Sequence, residues 1–449
     1  MLVATAAWLV AAQTTPARAD DTATPRPLGR EHPVFDAARE PDRPLAPAPT
    51  PSGEITLADA IAAALQGSPE LATVSYDVRS REALALQAAA RPNPELGVEL
   101  EDFAGSGDRQ GFDSAQTTLS LAQLVELGGK RSARVQLAER ETALAGWDFE
   151  TRRLAVLTDA TKAFVAVLAL QDRQSLVRDL ESLAAETLRS VASTVRAGAV
   201  SPVEEDRARV NLERVQLEVV RSAKELERAR ALLAATWGQS QAGFERARGD
   251  LAALPPLPTP ERLLAAAPES PELARWNAEI SQREAAIALE RARRIPDVTL
   301  SLGARHYAEG SDTGLVAGVS VPLPLFDRNR GNILDTRYRL ARAQAERRLA
   351  DVSVRTALTA SYQELSIANG EIEALRDRII PRAERVFQET RRGYATGLFR
   401  YVEVLDAQRT LFDARRELLE ALAAFHFSAT DLERLTGTPL SDLSGRSTP

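Results

Sequence analysis

Side chains that could bind a metal ion or act as nucleophiles are scarce in this 449-residue sequence. It has no cysteine, its single methionine is the first residue, and its three histidines (His32, His306 and His426) are widely separated. Soft-metal ligands and thiol chemistry are therefore excluded, and we expect neither a stored metal nor another cofactor. Gly105 to Gly107 lies between predicted strands, which indicates a hairpin loop and not a phosphate-binding loop. The sequence predicts a protein that is not an enzyme.

Carboxylates are the one chemical group that recurs at matching places. Glu204, Glu205 and Asp206 follow one predicted turn, and Glu403 and Asp406 follow another. Carboxylates brought together in a ring by symmetry would repel one another unless cations or basic side chains bridged them, and they would concentrate cations in a pore. Acidic residues in the first turn of a helix also stabilise its dipole. Both interpretations stay open on the sequence alone.

Composition points to long helices. Hydrophobic residues make up 44% of the chain, charged residues 27% and aromatic residues 5%, with long stretches rich in Ala, Leu, Arg and Glu. The net charge of -7, with both signs interspersed, argues against nucleic acid as a partner.

The first 54 residues are predicted to lie outside the folded body. Residues 1–19 contain a short apolar run and end in Ala17-Arg18-Ala19, which is typical of a signal peptide. Residues 20–54 are dense in proline and lack periodic apolar positions, so we expect an extended or disordered spacer.

The rest of the chain is a tandem duplication. The segment SPELA at Ser68 to Ala72 recurs at Ser270 to Ala274, and the same offset relates later positions. We assign repeat 1 to 55–255, repeat 2 to 256–438 and a C-terminal tail to 439–449. Each repeat is predicted to contain a short helix, two strands, a very long helix, a tight turn and a second helix.

Each repeat carries one predicted hairpin, at about 94–124 and 296–325. Apolar and polar residues alternate in the strands, whose length is about the nine to eleven residues that a tilted strand needs to cross a bilayer. Phe103, Phe112, Tyr307 and Phe326 lie near the strand ends, where membrane barrels carry aromatic girdles. The positions that we predict to face lipid are Leu96, Val98, Leu100, Leu119, Leu121, Val298, Leu300, Leu302, Val319 and Val321. A half-buried hairpin in a soluble protein would show the same alternation.

Topology favours the membrane interpretation. Two hairpins give only four strands, and a four-stranded sheet in lipid would leave edges with unsatisfied backbone groups. Three copies of the chain would supply twelve strands, enough to close a barrel with a channel. We also expect no helical span, because no run of 18 apolar residues follows the N-terminal segment.

The predicted helices are long enough to form a duct. No proline interrupts residues 130–196, which would extend about 100 Å as one helix, whereas Pro381 should kink the corresponding helix at 332–395. The helices after the turns have heptad seams, which predict paired, supercoiled helices. The seam positions are Ala208, Leu212, Val215, Val219, Ser222, Leu226, Ala229 and Leu233 in repeat 1 and Ala407, Leu411, Ala414, Leu418, Ala421, Phe425, Ser428 and Leu432 in repeat 2.

With these features, the sequence from about Ile55 to Thr438 resembles the TolC-like outer-membrane factor family. The resemblance implies a mainly α protomer with a small membrane β part. Three protomers would form a twelve-stranded outer-membrane β-barrel, continued through the periplasm by a long α-helical barrel.

The hairpin segments at 93–131 and 296–333 look most like the outer component of cobalt-zinc-cadmium exporters. This resemblance implies a passive exit duct for divalent heavy-metal cations. The implied partners are two further copies of the chain, outer-membrane lipid, a periplasmic membrane-fusion adaptor and an inner-membrane, proton-driven pump of the RND class. The alternatives are a duct for drugs or for type I secretion, and a periplasmic coiled-coil scaffold without a pore.

The segment from Tyr394 to Asp406 resembles the periplasmic tip of this family. The resemblance places a gate at Tyr394, Glu403 and Asp406. The residues at the two turns would contact the adaptor, and they are Gly198, Ala199, Val200, Ser201, Gly397, Leu398, Phe399 and Arg400.

Overall fold

The computed structural model describes residues 50–443, which are mostly helical. The first copy of the repeat contains β1 (Gly53–Ile55), α1 (Leu57–Gly67), α2 (Pro69–Ala89), β2 (Glu95–Glu101), β3 (Gln116–Val125), α3 (Lys130–Arg196), α4 (Pro202–Ala235) and β4 (Phe244–Ala247). The second copy contains α5 (Pro260–Ala266), α6 (Pro271–Arg293), β5 (Val298–Tyr307), β6 (Asp312–Ser320), α7 (Arg330–Ala374), α8 (Ile380–Ala395), α9 (Tyr401–Thr436) and α10 (Leu440–Leu443).

The first described strand begins slightly before the expected start of repeat 1. The predicted signal peptide (1–19) and residues 20–49 of the predicted spacer lie outside the described residues, as do residues 444–449. Gly53–Ile55 form β1, which pairs in parallel with β4 at the far end of repeat 1. The last residues assigned to the spacer therefore belong to a strand, and part of the predicted tail forms α10.

The duplicated SPELA motif starts the same element in both copies. The Ser68 hydroxyl accepts a hydrogen bond from the Leu71 N–H at 3.4 Å, and the Ser270 hydroxyl accepts one from the Leu273 N–H at 3.3 Å. A proline follows each serine at the first helical position, where its missing N–H costs nothing. Both capped leucines are buried, so the motif fixes where α2 and α6 begin.

The two hairpins join into one antiparallel sheet in the order β2-β3-β5-β6. Val98 lies opposite Leu119, Leu121 opposite Leu302, and Leu300 opposite Val319. β2 and β6 are the two edge strands, and each has one edge with no partner strand within residues 50–443.

Two long helical paths lead away from this sheet. Helix α3 runs for 67 residues without interruption. The matching path in the second copy is divided by a π-helical turn at Leu375–Ile379, just before Pro381. Pro381 lacks an N–H and its ring crowds the preceding turn, and a π turn is a known way to accommodate such a break.

The main hydrophobic core lies midway along α3 and joins both copies. It contains Phe164 of α3, Leu233 of α4, Leu365 of α7 and Phe425 of α9. Strands β1 and β4 cover it through Ile55 and Phe244. The heptad seams take part in this packing, since Leu226, Leu233, Phe425 and Leu432 are buried there.

Two expectations require correction. The helix α3 contains an 18-residue window with a mean hydropathy of 1.5, sufficient for a membrane span by length and composition, so the sequence does not exclude such a span as we expected. However, Phe164, Val165 and Leu168 of the same helix are buried in the core.

The second correction concerns Val321, which was predicted as a strand position. Val321 lies outside the strand, because β6 ends at Ser320 and Pro322 has no N–H to continue the ladder.

Candidate functional site

The first tip of the helical part is the turn between α3 and α4. Gly198 adopts a left-handed conformation (φ 72°), and its N–H donates to the Val195 carbonyl at 2.9 Å. Ser201 then caps α4 by accepting a hydrogen bond from the Val203 N–H at 3.4 Å. These bonds reverse the chain within four residues and place Glu204 in the first turn of α4.

The second tip is the turn between α8 and α9. Gly397 is again left-handed (φ 77°), and the Leu398 N–H donates to the Gly393 carbonyl at 2.7 Å. The ring of Phe399 lies directly on Gly393, where a Cβ atom would sit 2.7 Å from the ring carbon Cε2. Gly393 is therefore required by the fold of this turn, a role that sequence periodicity did not indicate.

A buried polar cluster connects the two tips. The rings of Tyr394 and Tyr401 lie 6.1 Å apart between centroids, and the charge of Glu204 acts on both. Burial, with smaller contributions from Tyr394 and Glu204, raises the pKa of Tyr401 to about 12. Within residues 50–443, the Tyr401 hydroxyl and one carboxylate oxygen of Glu204 are buried without a hydrogen-bond partner. The cluster thus holds polar groups available to a further donor or acceptor.

Glu403 and Asp406 lie on a different face of α9. They line an open groove of about 730 Å³ between α8 and α9, together with Arg382, Val386 and Val402. The Glu403 carboxylate also accepts a hydrogen bond from the Arg400 N–H at 2.6 Å and so caps α9. Asp406 is exposed, so its carboxylate is accessible to solvent.

The three predicted gate residues therefore divide into two groups. Glu403 and Asp406 share the groove, whereas Tyr394 packs against Tyr401, which projects from the side of α9 about 160° away from Glu403. Tyr401, Gly393 and Arg382 were not among the residues predicted from the sequence. Glu204 was predicted only as one of the acidic residues after the first turn. An aromatic residue opening the helix directly after the turn was the available signal for Tyr401.

The residues predicted to face lipid share one face of the sheet. Apart from Val321, they lie directly or diagonally opposite one another in the strand register. Leu315, which we did not predict, lies on the same face and is 87% exposed. The opposite face is polar. There Arg305 pairs with Glu101 at 2.8 Å and donates to Thr118 at 2.8 Å, across β2, β3 and β5.

Metal-binding residues are not clustered in the described part of the chain. Within residues 50–443, no three His, Asp or Glu side chains lie close enough to hold an ion together. The His426 Nε2 atom lies 3.0 Å from the Leu251 carbonyl, so this ring is engaged with the backbone.

A family model described as outer membrane efflux protein matches residues 60–239 and 263–438. The chain belongs to this family. Membership places it in the outer membrane with its helices extending into the periplasm. The strand ends joined to helices are then on the periplasmic side, and the loops between paired strands are on the outer side.

Individual relatives agree with the family assignment. The chain is 36% identical to the cobalt-zinc-cadmium resistance protein CzcC of Cupriavidus metallidurans, over 86% of this chain and 91% of that protein. It is 30% identical to the nickel and cobalt resistance protein CnrC of the same organism, over 62% of this chain and 66% of the relative. Among solved structures, the outer membrane protein VceC of Vibrio cholerae superposes with a TM-score of 0.72 at 20% identity, covering 86% of this chain and 96% of that one. This last likeness concerns the fold.

Proposed function

We propose that the chain is one protomer of a homotrimeric outer-membrane duct that lets divalent heavy-metal cations leave the cell. In this proposal the duct is passive and catalyses no reaction. A periplasmic membrane-fusion adaptor docks on its helical tips, and an inner-membrane, proton-driven pump of the RND class supplies the energy and selects the cargo.

The observation that carries this proposal is the four-stranded sheet with two unpaired edges. Strand order β2-β3-β5-β6 is antiparallel throughout, so β6 of one copy can continue into β2 of the next with the same alternation. Closure by three copies would pair every backbone N–H and C=O group at the sheet edges, as the hydrocarbon interior of a membrane requires. It would also turn the apolar face of the sheet outward. The 67-residue helix α3 would then extend about 100 Å from the barrel, a length suited to a periplasmic duct.

The cargo assignment is supported by charge and by relatedness. The polar face of β2 carries Glu95, Glu99 and Glu101, and the tip groove carries Glu403 and Asp406. Such carboxylates favour cations by raising their local concentration. Relatives named for resistance to cobalt, zinc, cadmium and nickel favour metal ions over organic drugs as the cations concerned.

The tips favour a docked adaptor. Leu398 is 76% exposed at the turn between α8 and α9, and Phe399 and Val402 beside it are also partly exposed. Apolar side chains at the end of a long helical pair are suited to being covered by another protein. The first tip, from Gly198 to Ser201, would form the matching rim.

Planar bilayers test the duct itself. Purified full-length protein should insert and give discrete conductance steps with a preference for cations. A periplasmic scaffold without a pore would give none, and that outcome would contradict the proposal.

Gene deletion tests the cargo. Loss of the gene should lower tolerance to one or more of zinc, cobalt, cadmium, nickel and copper, and plasmid expression should restore it. Unchanged metal tolerance together with lower drug tolerance would replace the metal cargo with organic drugs while leaving the duct intact. A type I secretion duct would instead show loss of a secreted protein.

A further inference from the structure

The periplasmic edge of the sheet is strongly basic in an otherwise acidic chain. The four connections between strands and helices, together with the adjoining helix ends, are residues 90–94, 126–134, 291–297 and 321–330, which we call the basic collar. They contain nine basic residues and only three acidic ones, although the whole chain has a net charge of -7. The opposite end of the sheet is acidic, since the outer loops 102–115 and 308–312 contain five acidic residues and one arginine.

Some collar residues are engaged within the protomer. Lys130 pairs with Asp297 at 2.7 Å, and Arg134 pairs with Glu126 at 2.5 Å while donating to the Ala88 carbonyl at 2.9 Å. Arg131 donates to the Ala89 carbonyl at 2.7 Å. These contacts fix the angle between the sheet and the helices below it.

Four collar arginines are exposed and form neither an ion pair nor a side-chain hydrogen bond within residues 50–443. They are Arg91, Arg291, Arg294 and Arg330. Each is therefore available to an anion from outside the protomer.

Helix stability does not explain the collar. Lys130, Arg131 and Arg330 lie in the first turns of α3 and α7, where the helix dipole disfavours positive charge. Both helices lack an acidic residue in the first turn, and neither has a side-chain cap. Basic residues at these positions are unfavourable unless an anion compensates for them. Asp297 compensates for Lys130, whereas Arg330 has no acidic partner within residues 50–443.

A groove in the collar has the shape for such an anion. It has a volume of about 450 Å³, lies between the end of α2 and the start of α3, and is lined by Arg91, Arg134, Leu84 and Pro92. The lining thus combines apolar side chains with the unpaired guanidinium group of Arg91, a group that binds phosphate oxygens well. Arg134 is already paired with Glu126.

The collar also contains exposed apolar side chains. Phe326 is 99% exposed, and Leu323 and Leu325 beside it are also exposed. Exposed aromatic and leucine side chains next to arginines are typical of the interface between headgroups and acyl chains.

We infer that the basic collar binds the phosphate headgroups of anionic phospholipids in the periplasmic leaflet of the outer membrane. The inference rests on the proposed function, since it requires the sheet to span that membrane. Arg91, Arg294 and Arg330 contact the phosphates, and the apolar residues reach the first acyl carbons. Charge complementarity, the groove and the unpaired Arg330 at the start of α7 all favour this occupant.

Native mass spectrometry on the delipidated trimer tests the inference, with phosphatidylglycerol and phosphatidylcholine of identical acyl chains as probes. The unaltered protein should bind phosphatidylglycerol at least tenfold more tightly, and the preference should weaken between about 50 and 500 mM salt as screening grows. The triple variant Arg91→Gln, Arg294→Gln, Arg330→Gln should lose the preference. Inorganic phosphate at the same concentration should not compete, because it lacks the acyl chains.

The control variant is Arg262→Gln. Arg262 is an exposed arginine of α5, outside the collar, so its loss should leave the preference intact. If the triple variant fails to assemble, Arg91→Gln against Arg91→Lys gives the same comparison, with only the glutamine weakening the preference.

Equal binding of the two lipids by the unaltered protein, or an unchanged preference in the assembled variants, would overturn the inference. Conductance in planar bilayers distinguishes failure of the lipid-binding inference from failure of the proposed function. A conducting trimer without lipid preference refutes only the collar, whereas a protein without conductance refutes the duct.

Discussion

At the scale of single residues, Gly393 shows how one missing side chain shapes a tip. Its Cα lies beneath the Phe399 ring, and an added Cβ would overlap that ring. We expect Gly393→Ala to destabilise the protein by about 1–3 kcal/mol, as overpacking does, and to lower the melting temperature. Gly370→Ala is the matched control, because Gly370 lies in helix α7 with nothing within 4 Å of its Cβ position. That change should stabilise by about 0.5–1 kcal/mol, and equal effects at both sites would contradict the role given to Gly393.

Tyr401 provides a prediction about pH. Because burial raises its pKa to about 12, the folded tip holds the phenol proton more tightly than the unfolded chain does. Its contribution to stability is therefore complete below about pH 10, the ordinary tyrosine pKa, and is lost as the pH rises toward 12. Absorbance at the phenolate band should show a late-titrating tyrosine that Tyr401→Phe removes. Titration of every tyrosine near pH 10 would contradict the burial of this hydroxyl.

The two groove carboxylates provide a prediction about conductance. Replacing Glu403 and Asp406 with alanine should raise single-channel conductance, because it removes side chains from the aperture. Glu403 also caps α9, so Asp406→Ala alone is the cleaner variant. Glu417→Ala, an exposed acid further along α9, is the control and should leave conductance unchanged. If Asp406→Ala behaves like this control, Asp406 does not line the gate.

The sequence predicted residues whose partners are close in the chain. The strand faces follow from local spacing, because side chains alternate along a strand with a fixed period of two, whereas Gly397 was expected from the family resemblance. The cluster of Tyr394, Tyr401 and Glu204 was not predictable, since it joins two turns separated by almost half the chain. No local pattern determines which sides of two distant turns meet.

At the scale of elements, the repeated helix starts give a direct stability test. Ser270→Ala should cost about 1 kcal/mol, because the buried Leu273 N–H loses its acceptor. Ser68→Ala should cost a similar amount at the equivalent helix of the first copy. Thr259→Ala is the control, since Thr259 precedes α5 without a side-chain capping bond. Chemical or thermal unfolding measures all three, and an equal loss for Thr259→Ala would contradict the capping argument.

The long helices were predictable in position and less so in detail. Residues 130–196 were expected as one helix and form one, because an uninterrupted apolar period needs no tertiary information. Pro381 signalled a break, but its form as a π turn at Leu375–Ile379 depends on how α7 and α8 both pack against α9. Proline removes one backbone hydrogen bond, and the surrounding packing determines which local helix geometry accommodates the missing bond.

At the scale of the whole molecule, the helix order indicates how copies meet. Helices α3 and α9 pack against each other in the middle, while α4 and α8 form the two sides. In a ring of protomers, α4 of one copy must therefore lie beside α8 of the next, in opposite directions. Counting from the tips, where α4 starts at Pro202 and α8 ends at Ala395, Glu213 and Arg385 lie at nearly the same height.

This arrangement predicts a specific cross-link between neighbouring copies. Glu213 and Arg385 are exposed and form no ion pair within residues 50–443, and their charges are opposite. The chain has no cysteine, so the double variant Glu213→Cys, Arg385→Cys has no competing thiol. Oxidation should link copies into a covalent trimer on a non-reducing gel. Lys224→Cys with Arg385→Cys is the control, because Lys224 lies three turns further from the tip and about 16 Å away along the helix. If light scattering shows a trimer but no disulfide forms, other helix faces form the contact between copies. A monomer would contradict closure by three copies.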